Sequence, residues 1–401
     1  MKSTLIQIYY RLPTGLRNWV KRTSRGIGPL GQLLVLIRYR NIDKYSVVFP
    51  ENHSKLRVLF GPLNTASQAS EWSRALEAES SEIQSASFSG VGSVRYNSAA
   101  DFQVERATYL FSQKWHREFE LFLSSQTHIF YESALPLLGR MCRADAFREA
   151  RFLSKNYGTK IAFVYHGSDI RLPSLHLKLE PSSPFAHQGL PITVLEDQAQ
   201  EIITKQRASG FPSFVTTLDL LDYLPEAEWL PLSINPEDWF QSRAVLVRDR
   251  PIVVHAPTNA AMKGSNQIAK AMQALHDTGV IEYRLISGVS HDEMKNVYKD
   301  ADIVLEQFLL GSYGVTACEA MAAGCLVVGN VNTRVREELR KRTGFELPIV
   351  QSTAAGISET VKSIVSKREE MQLQAVLGQK FVASIHNGRF AAEQLRIFLA
   401  S

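Results

Sequence analysis

Three loops of the 401-residue chain carry residue types that could do chemistry. The first runs through Gly311, Ser312, Tyr313, Gly314 and Val315 to Glu319. Its glycines let backbone approach a ligand closely. A helix opening near Val315 would aim free N–H groups and its positive dipole end at the same spot, which suits a diphosphate. Glu319, little more than a turn further on, can accept hydrogen bonds from a ribose. A tight turn followed by an exposed helical glutamate accounts for the same residues, so this loop alone does not decide. The second loop follows His255 and brings Thr258, Asn259 and Lys263 ahead of another helix. An ammonium about 4 Å from a phosphate gains roughly 4 kcal/mol at an effective dielectric of 20, before desolvation. Two phosphate-suited loops on one sheet weigh against coincidence, and Thr258 and Asn259 add neutral donors.

The third loop, Tyr165 to Arg171, crowds His166, Asp169 and Arg171 at the end of a buried strand, with Gly167 freeing the backbone. His166 or Asp169 would serve as general base only within hydrogen-bond reach of a substrate hydroxyl. Between Gly61 and the next helix, Asn64 and Gln68 can bind hydroxyls, while Ser67 is placed to cap that helix. Other patterns are weaker. Asp300-Ala301-Asp302 has the form of a metal-binding sugar-transferase motif, but it falls at a helix-to-strand junction where turn chemistry explains it. Gly90-Val91-Gly92 lacks the third glycine and the helix of a dinucleotide site. The ten histidines show no ligand spacing with cysteine or carboxylate, so neither metal nor cofactor is expected.

These loops need a frame. From Pro251 the chain alternates short apolar runs with helical periodicity: a strand to His255, then Ile268, Ala271, Met272 and Leu275 at helical spacing, closed by Gly279. Strands are expected at 280–287, 302–305, 325–329 and 347–350, and helices at 291–299, 315–323, 333–342 and 353–367. Five such units imply a parallel, doubly wound sheet that binds ligands at the carboxyl ends of its strands. The first half reads similarly: strands at 56–60, 160–165 and 214–217, and helices at 67–79, 140–155 and 195–208. A long loop is expected over 171–191, and 224–238, with Pro225, Pro231 and Pro236, looks like an interdomain connection. The fold class is α/β, with two Rossmann-like domains facing a cleft.

Residues 251–330 resemble the donor-binding half of GT-B glycosyltransferases similar to the large retaining family 4, and residues 55–395 fit that family's two-domain plan. The likeness rests on Lys263, Tyr313-Gly314 and Glu319-Ala320-Met321-Ala322-Ala323-Gly324. It implies that Lys263 holds a nucleotide diphosphate and that Glu319 is the second glutamate of an E-x7-E motif that binds donor sugar and ribose. It places the loop of Ser287 to Ser290, with Val289, against the base, His166 across the cleft from the sugar, and Asn64, Gln68 and Arg171 toward the acceptor. The chain departs from the pattern at Gly311, where the first glutamate would stand, and at Pro257 and Thr258, where an arginine would. Glu306 or Gln307 could reach the sugar instead. A branch of similar bacterial sequences carries Gln-x3-Gly-x-Tyr-Gly, matched by Gln307, Gly311, Tyr313 and Gly314. The implied activity is sugar transfer from a UDP- or GDP-sugar to a cell-envelope glycan or lipid-linked acceptor. In a retaining, metal-independent reaction of this kind the leaving phosphate takes the acceptor's proton. A catalytically silent relative that binds a nucleotide sugar or a partner is the alternative.

Charge distribution bears on location. Residues 1–45 hold nine basic side chains against Asp43, a charge of +8, and the other 356 residues sum to −3. The basic groups are interleaved with Leu5, Ile8, Tyr9, Trp19 and the run Leu33 to Ile37, which suits an interfacial segment on an anionic membrane better than a nucleic-acid arm. The expected organisation is this segment, an acceptor domain over 46–238, a donor domain over 239–380, and a last helix, 381–401, packing back on the first domain. No stretch approaches the roughly 20 apolar residues of a membrane span, and Cys142, Cys318 and Cys325 form no disulfide framework. A cytoplasmic protein, peripheral at the inner face of the membrane, is expected, with no nucleic-acid partner.

Overall fold

A computed structural model describes residues 49, 54–90, 100–187 and 190–400. The basic segment expected over 1–45 and Gly92 lie outside them. The first domain is built on a seven-stranded sheet of β1 (Leu56–Gly61), β2 (Ile83–Ser89), β3 (Phe102–Gln103), β4 (His128–Glu132), β5 (Lys160–Tyr165), β6 (Ser213–Val215) and β7 (Glu228–Trp229). The second holds β8 (Ile252–His255), β9 (Glu282–Leu285), β10 (Ile303–Leu305), β11 (Leu326–Gly329) and β12 (Val350–Gln351). Every pairing is parallel. Parallel strands are covered on both faces, which is why β5 buries five consecutive residues, Ile161 to Tyr165, and β8 buries all four.

The sheet orders are β3-β2-β1-β4-β5-β6-β7 and β9-β8-β10-β11-β12. Each reverses direction once, between β1 and β4 and between β8 and β10. Loops leaving two strands at such a switch point diverge to opposite faces and open a crevice. Gly61 stands opposite Tyr131, and His255 opposite Leu305, so the loops that follow leave both pairs at one level.

Several expectations are corrected. The helix expected from Arg140 begins at Ala146, because Asp145 accepts a bond from the Arg148 N–H at 3.0 Å and caps it there. The loop expected over 171–191 contains a helix, Pro173–Leu179, opened by a proline in its first turn. The last helix is two, Arg368–Ile385 and Arg389–Ala400. Phe381, Val382 and Ile385 pack with Cys318 and Met321 of the second domain, whereas Ala392, Leu395 and Leu399 pack with Val58, Phe60 and Trp72 of the first. The chain crosses back between them, at His386 to Gly388. Among the described residues no helix is long and apolar enough to cross a membrane.

Candidate active site

The two switch points face each other. Between them lies a cavity of about 310 Å³ whose walls include Thr65, His166, Thr217, Lys263, Glu306 and Gly314. A neighbouring cavity of about 370 Å³ is walled by Thr258, Ser287, Val289, His291, Val315 and Glu319. Thr258, Val315 and Thr316 border both, so the two form one groove running from the cleft into the second domain.

On the second-domain side, Lys263 ends the one-turn helix Ala260–Lys263 after β8. Its Nζ lies 3.1 Å from Glu306 Oε1 and 3.3 Å from Thr316 Oγ1. Glu306 immediately follows β10 and is 3% exposed; burial raises its pKa, and Lys263 offsets part of that rise. The helix Val315–Ala322 is buried nearly all round, and Gly314 precedes it without a side-chain cap, leaving its first turn open to a ligand. Glu319, on the groove-facing side, accepts a 2.7 Å bond from His291 Nε2, whose pKa this bond raises.

Four donor-side candidates have another part. Asn259 accepts from the Met262 N–H at 3.3 Å, caps the short helix and borders neither cavity. Gln307 turns its amide to the Ser312 carbonyl within its own loop. Tyr313 donates its hydroxyl to His386 Nε2 at 3.1 Å, and His386 Nδ1 donates to the Leu232 carbonyl at 2.7 Å. Tyr313 thereby ties the donor loop to the point where the chain changes domain. Gly311 has φ +68°, and a Cβ there would overlap the Glu180 carboxylate, which reaches over from the first domain. The loop is closed against its neighbour where a side chain would otherwise project. Ser312 borders the cleft cavity and is 3% exposed.

On the first-domain side the organising group is Glu132, at the end of β4 and fully buried. It accepts from the N–H groups of Leu63 at 3.0 Å, Asn64 at 2.8 Å and Thr65 at 3.4 Å, and from His166 Nε2 at 3.0 Å. The loop after β1 is thereby fastened to the loop after β5. His166 also stacks on Trp72, with ring centroids 6.0 Å apart. Burial pulls its pKa down, but the hydrogen bond and charge of Glu132, with Asp169 behind, lift it above the ordinary value.

Asp169 braces its own loop. Its carboxylate accepts from Ser133 Oγ at 2.7 Å and from the N–H groups of His166 at 2.9 Å, Gly167 at 2.7 Å and Ile170 at 3.1 Å. Arg171 borders the cleft cavity and forms a buried ion pair, 2.5 Å from Asp219. The carboxamide of Asn64 pairs with Ser70, and that of Gln68, which borders the cleft cavity, pairs with the Ser233 backbone at 2.8 and 2.9 Å. Sequence reasoning missed Glu132, Glu180 and His291. The first carried one signal, a lone carboxylate closing the apolar run His128 to Tyr131. Asp300 and Asp302 bind Arg248, Arg284 and backbone amides at the amino-terminal end of β8 and β10, away from the cleft.

No family model and no curated protein matches the chain. Solved structures do. Sucrose-phosphate synthase from Thermosynechococcus elongatus aligns with a TM-score of 0.54 at 12% identity, over 86% of this chain and 100% of that one. WaaG, a glycosyltransferase involved in lipopolysaccharide biosynthesis, gives 0.50 at 11% identity, over 85% and 98%. A glycosyltransferase from Rickettsia africae gives 0.50 at 12% identity, over 86% and 98%. The fold is that of the GT-B glycosyltransferases. At these identities the likeness extends to architecture, and the chemistry rests on the groove itself.

Proposed function

We propose that the chain is a glycosyltransferase moving a sugar from a UDP- or GDP-sugar to a cell-envelope glycan or lipid-linked acceptor, with retention and without a metal. The observation that carries this reading is the convergence of Lys263 and the open first turn of Val315–Ala322 on one cavity, with His166 opposite. An ammonium and a helix N-terminus side by side attract a diphosphate and stabilise charge on its leaving oxygen. The groove past Thr258 and Val289 is roomy enough for a nucleoside, with the His291–Glu319 pair facing the ribose. His166, held by Glu132, presents its ring to the sugar. In this reading the departing phosphate takes the acceptor hydroxyl's proton, because Asp169 has its lone pairs committed elsewhere. Residues 1–45 would hold the acceptor domain (46–238) and donor domain (239–380) at an anionic membrane face.

The test is calorimetric titration with a panel of nucleotide sugars, followed by mass-spectrometric detection of donor hydrolysis or transfer. Binding that disappears in Lys263→Ala supports the reading, whereas unchanged affinity removes its main support. A catalytically silent nucleotide-sugar binder is the second reading, favoured by the Gly311 backbone lying closed against Glu180. Any measurable donor turnover excludes it.

A further inference from the structure

An acid occupies the place where an anion is to bind. Glu306 Oε1 lies 3.1 Å from Lys263 Nζ and 3.7 Å from the point where a Cβ on Gly314 would stand, immediately before the helix Val315–Ala322. One carboxylate thus pairs with the ammonium and stands beside the open helix N-terminus, the two features that attract a diphosphate, and the glutamate is 3% exposed on the wall of the cleft cavity. A charged carboxylate and a diphosphate sharing one ammonium in a partly dry site repel each other. A neutral carboxylic acid does not, and its O–H becomes a donor to a phosphate oxygen.

We infer that Glu306 takes up one proton from solvent when the diphosphate of a nucleotide sugar settles beside Lys263, and then donates a hydrogen bond to a phosphate oxygen. The inference rests on the donor-site reading above. It gives the site a second diphosphate donor beside its single lysine, at the expense of a proton taken from water rather than a second cation.

The surrounding groups allow it. Lys263 is the hydrogen-bond partner of Glu306 among the described residues. The Cys318 thiol and the Tyr298 phenol also feel its charge, and burial keeps both neutral. His255, on the neighbouring strand, donates from Nδ1 to the Leu305 carbonyl at 2.8 Å and is neutral, its pKa pushed down to about 4 by burial. Thr316 and Gln307 carry no charge. Burial already lifts the Glu306 carboxyl above the usual range, so little further perturbation by a bound anion is needed.

The experiment is calorimetry of the full chain with UDP-glucose and GDP-glucose, whose diphosphate diesters do not titrate near neutrality, in paired buffers of different ionisation enthalpy. Close to one proton taken up per ligand is expected, with Kd rising up to about tenfold per pH unit wherever the uptake is complete. Glu306→Gln should abolish the uptake and flatten the pH profile. His166→Ala and His291→Ala, which remove the other groove titrations, should keep it, so the assignment stands even if the glutamine variant does not fold. Binding without proton uptake, or uptake that survives in Glu306→Gln or is lost with either histidine, overturns the inference and leaves the donor site intact. Binding of neither ligand overturns both.

Discussion

Replacing Glu132 by glutamine tests whether one buried carboxylate assembles the first-domain half of the site. The side chain keeps its shape but has one acceptor oxygen in place of two. If that oxygen stays with Leu63 and Asn64, the new NH2 group faces the Thr65 N–H and His166 Nε2, which accepts a bond only by changing tautomer. Hydrogen bonds to charged groups contribute about 1.5 to 3 kcal/mol each, so losing the His166 bond and weakening three others should cost roughly 3 kcal/mol. The pH dependence follows from His166, whose folded pKa lies above its unfolded value of 6.5. A raised pKa contributes stability that is complete below about pH 6.5 and lost as pH rises through the folded value. In Glu132→Gln burial, the largest influence on the ring, is opposed only by the smaller effect of the Asp169 charge, so the folded pKa falls below the unfolded one and the sign reverses. Urea denaturation of both proteins at about pH 6 and pH 8, read on the first-domain transition, measures this. The difference between the two proteins cancels every other titrating group. A cost under about 0.5 kcal/mol, or a variant penalty that is equal at both pH values, refutes the role given to Glu132.

Lys263→Ala should weaken UDP or GDP binding by about 10- to 150-fold, the equivalent of one charge-assisted hydrogen bond, as read by calorimetry. Gly311→Ala should destabilise the chain by at least about 1 kcal/mol, from the left-handed backbone alone, with a further cost from overlap with Glu180. Glu180→Ala should relieve that second part, so denaturation of the double variant should show a coupling that two independent sites would lack. His255 and His386 are buried and neutral, with pKa values pushed down to about 4 from 6.5. Their contribution is complete above pH 6.5 and is lost as pH falls toward 4, about 3 kcal/mol each at the limit, so acid unfolding should set in below pH 6. His386→Gln should move that onset to lower pH in a fluorescence titration, and an unmoved onset would count against the assignment.

The second sheet was legible because its strands and helices each follow a single period. Three apolar side chains and a glycine, all buried, make β11, and the helix Ser265–Asp277 buries Ile268, Met272 and Leu275, the residues that its spacing selects. In the first sheet β2 was hidden, since Ile83–Ser89 holds three serines and a glutamine and shows no apolar run. Ser87 is buried because partners far along the chain receive it: its Oγ bonds Asp101 at 2.7 Å and lies 2.9 Å from Ser70 Oγ. β7 was hidden by shortness, two residues in a proline-rich connection.

The site was legible in a different measure. Position at the carboxyl end of a parallel strand selected His166, Lys263 and Glu319, and it equally selected Asn64, Gln68, Asp169, Arg171 and Tyr313. What chain order did not show is the partner each side chain finds within the fold. Gln68 meets Ser233, Asp169 meets Ser133, Arg171 meets Asp219, and Tyr313 meets His386, each a partner that chain order does not reveal. A loop crossing a switch point exposes several backbone N–H groups, and a buried one left unpaired costs about 1 to 3 kcal/mol, so the fold draws on the nearest polar side chains first. A polar residue there is free for a ligand only when the loop is already satisfied by others. Glu132 shows the converse: by taking three N–H groups after β1 and fixing His166, it leaves the histidine ring available to the cleft. Lys263 is available for a related reason, because its partner Glu306 can be neutralised by a proton rather than replaced by another residue.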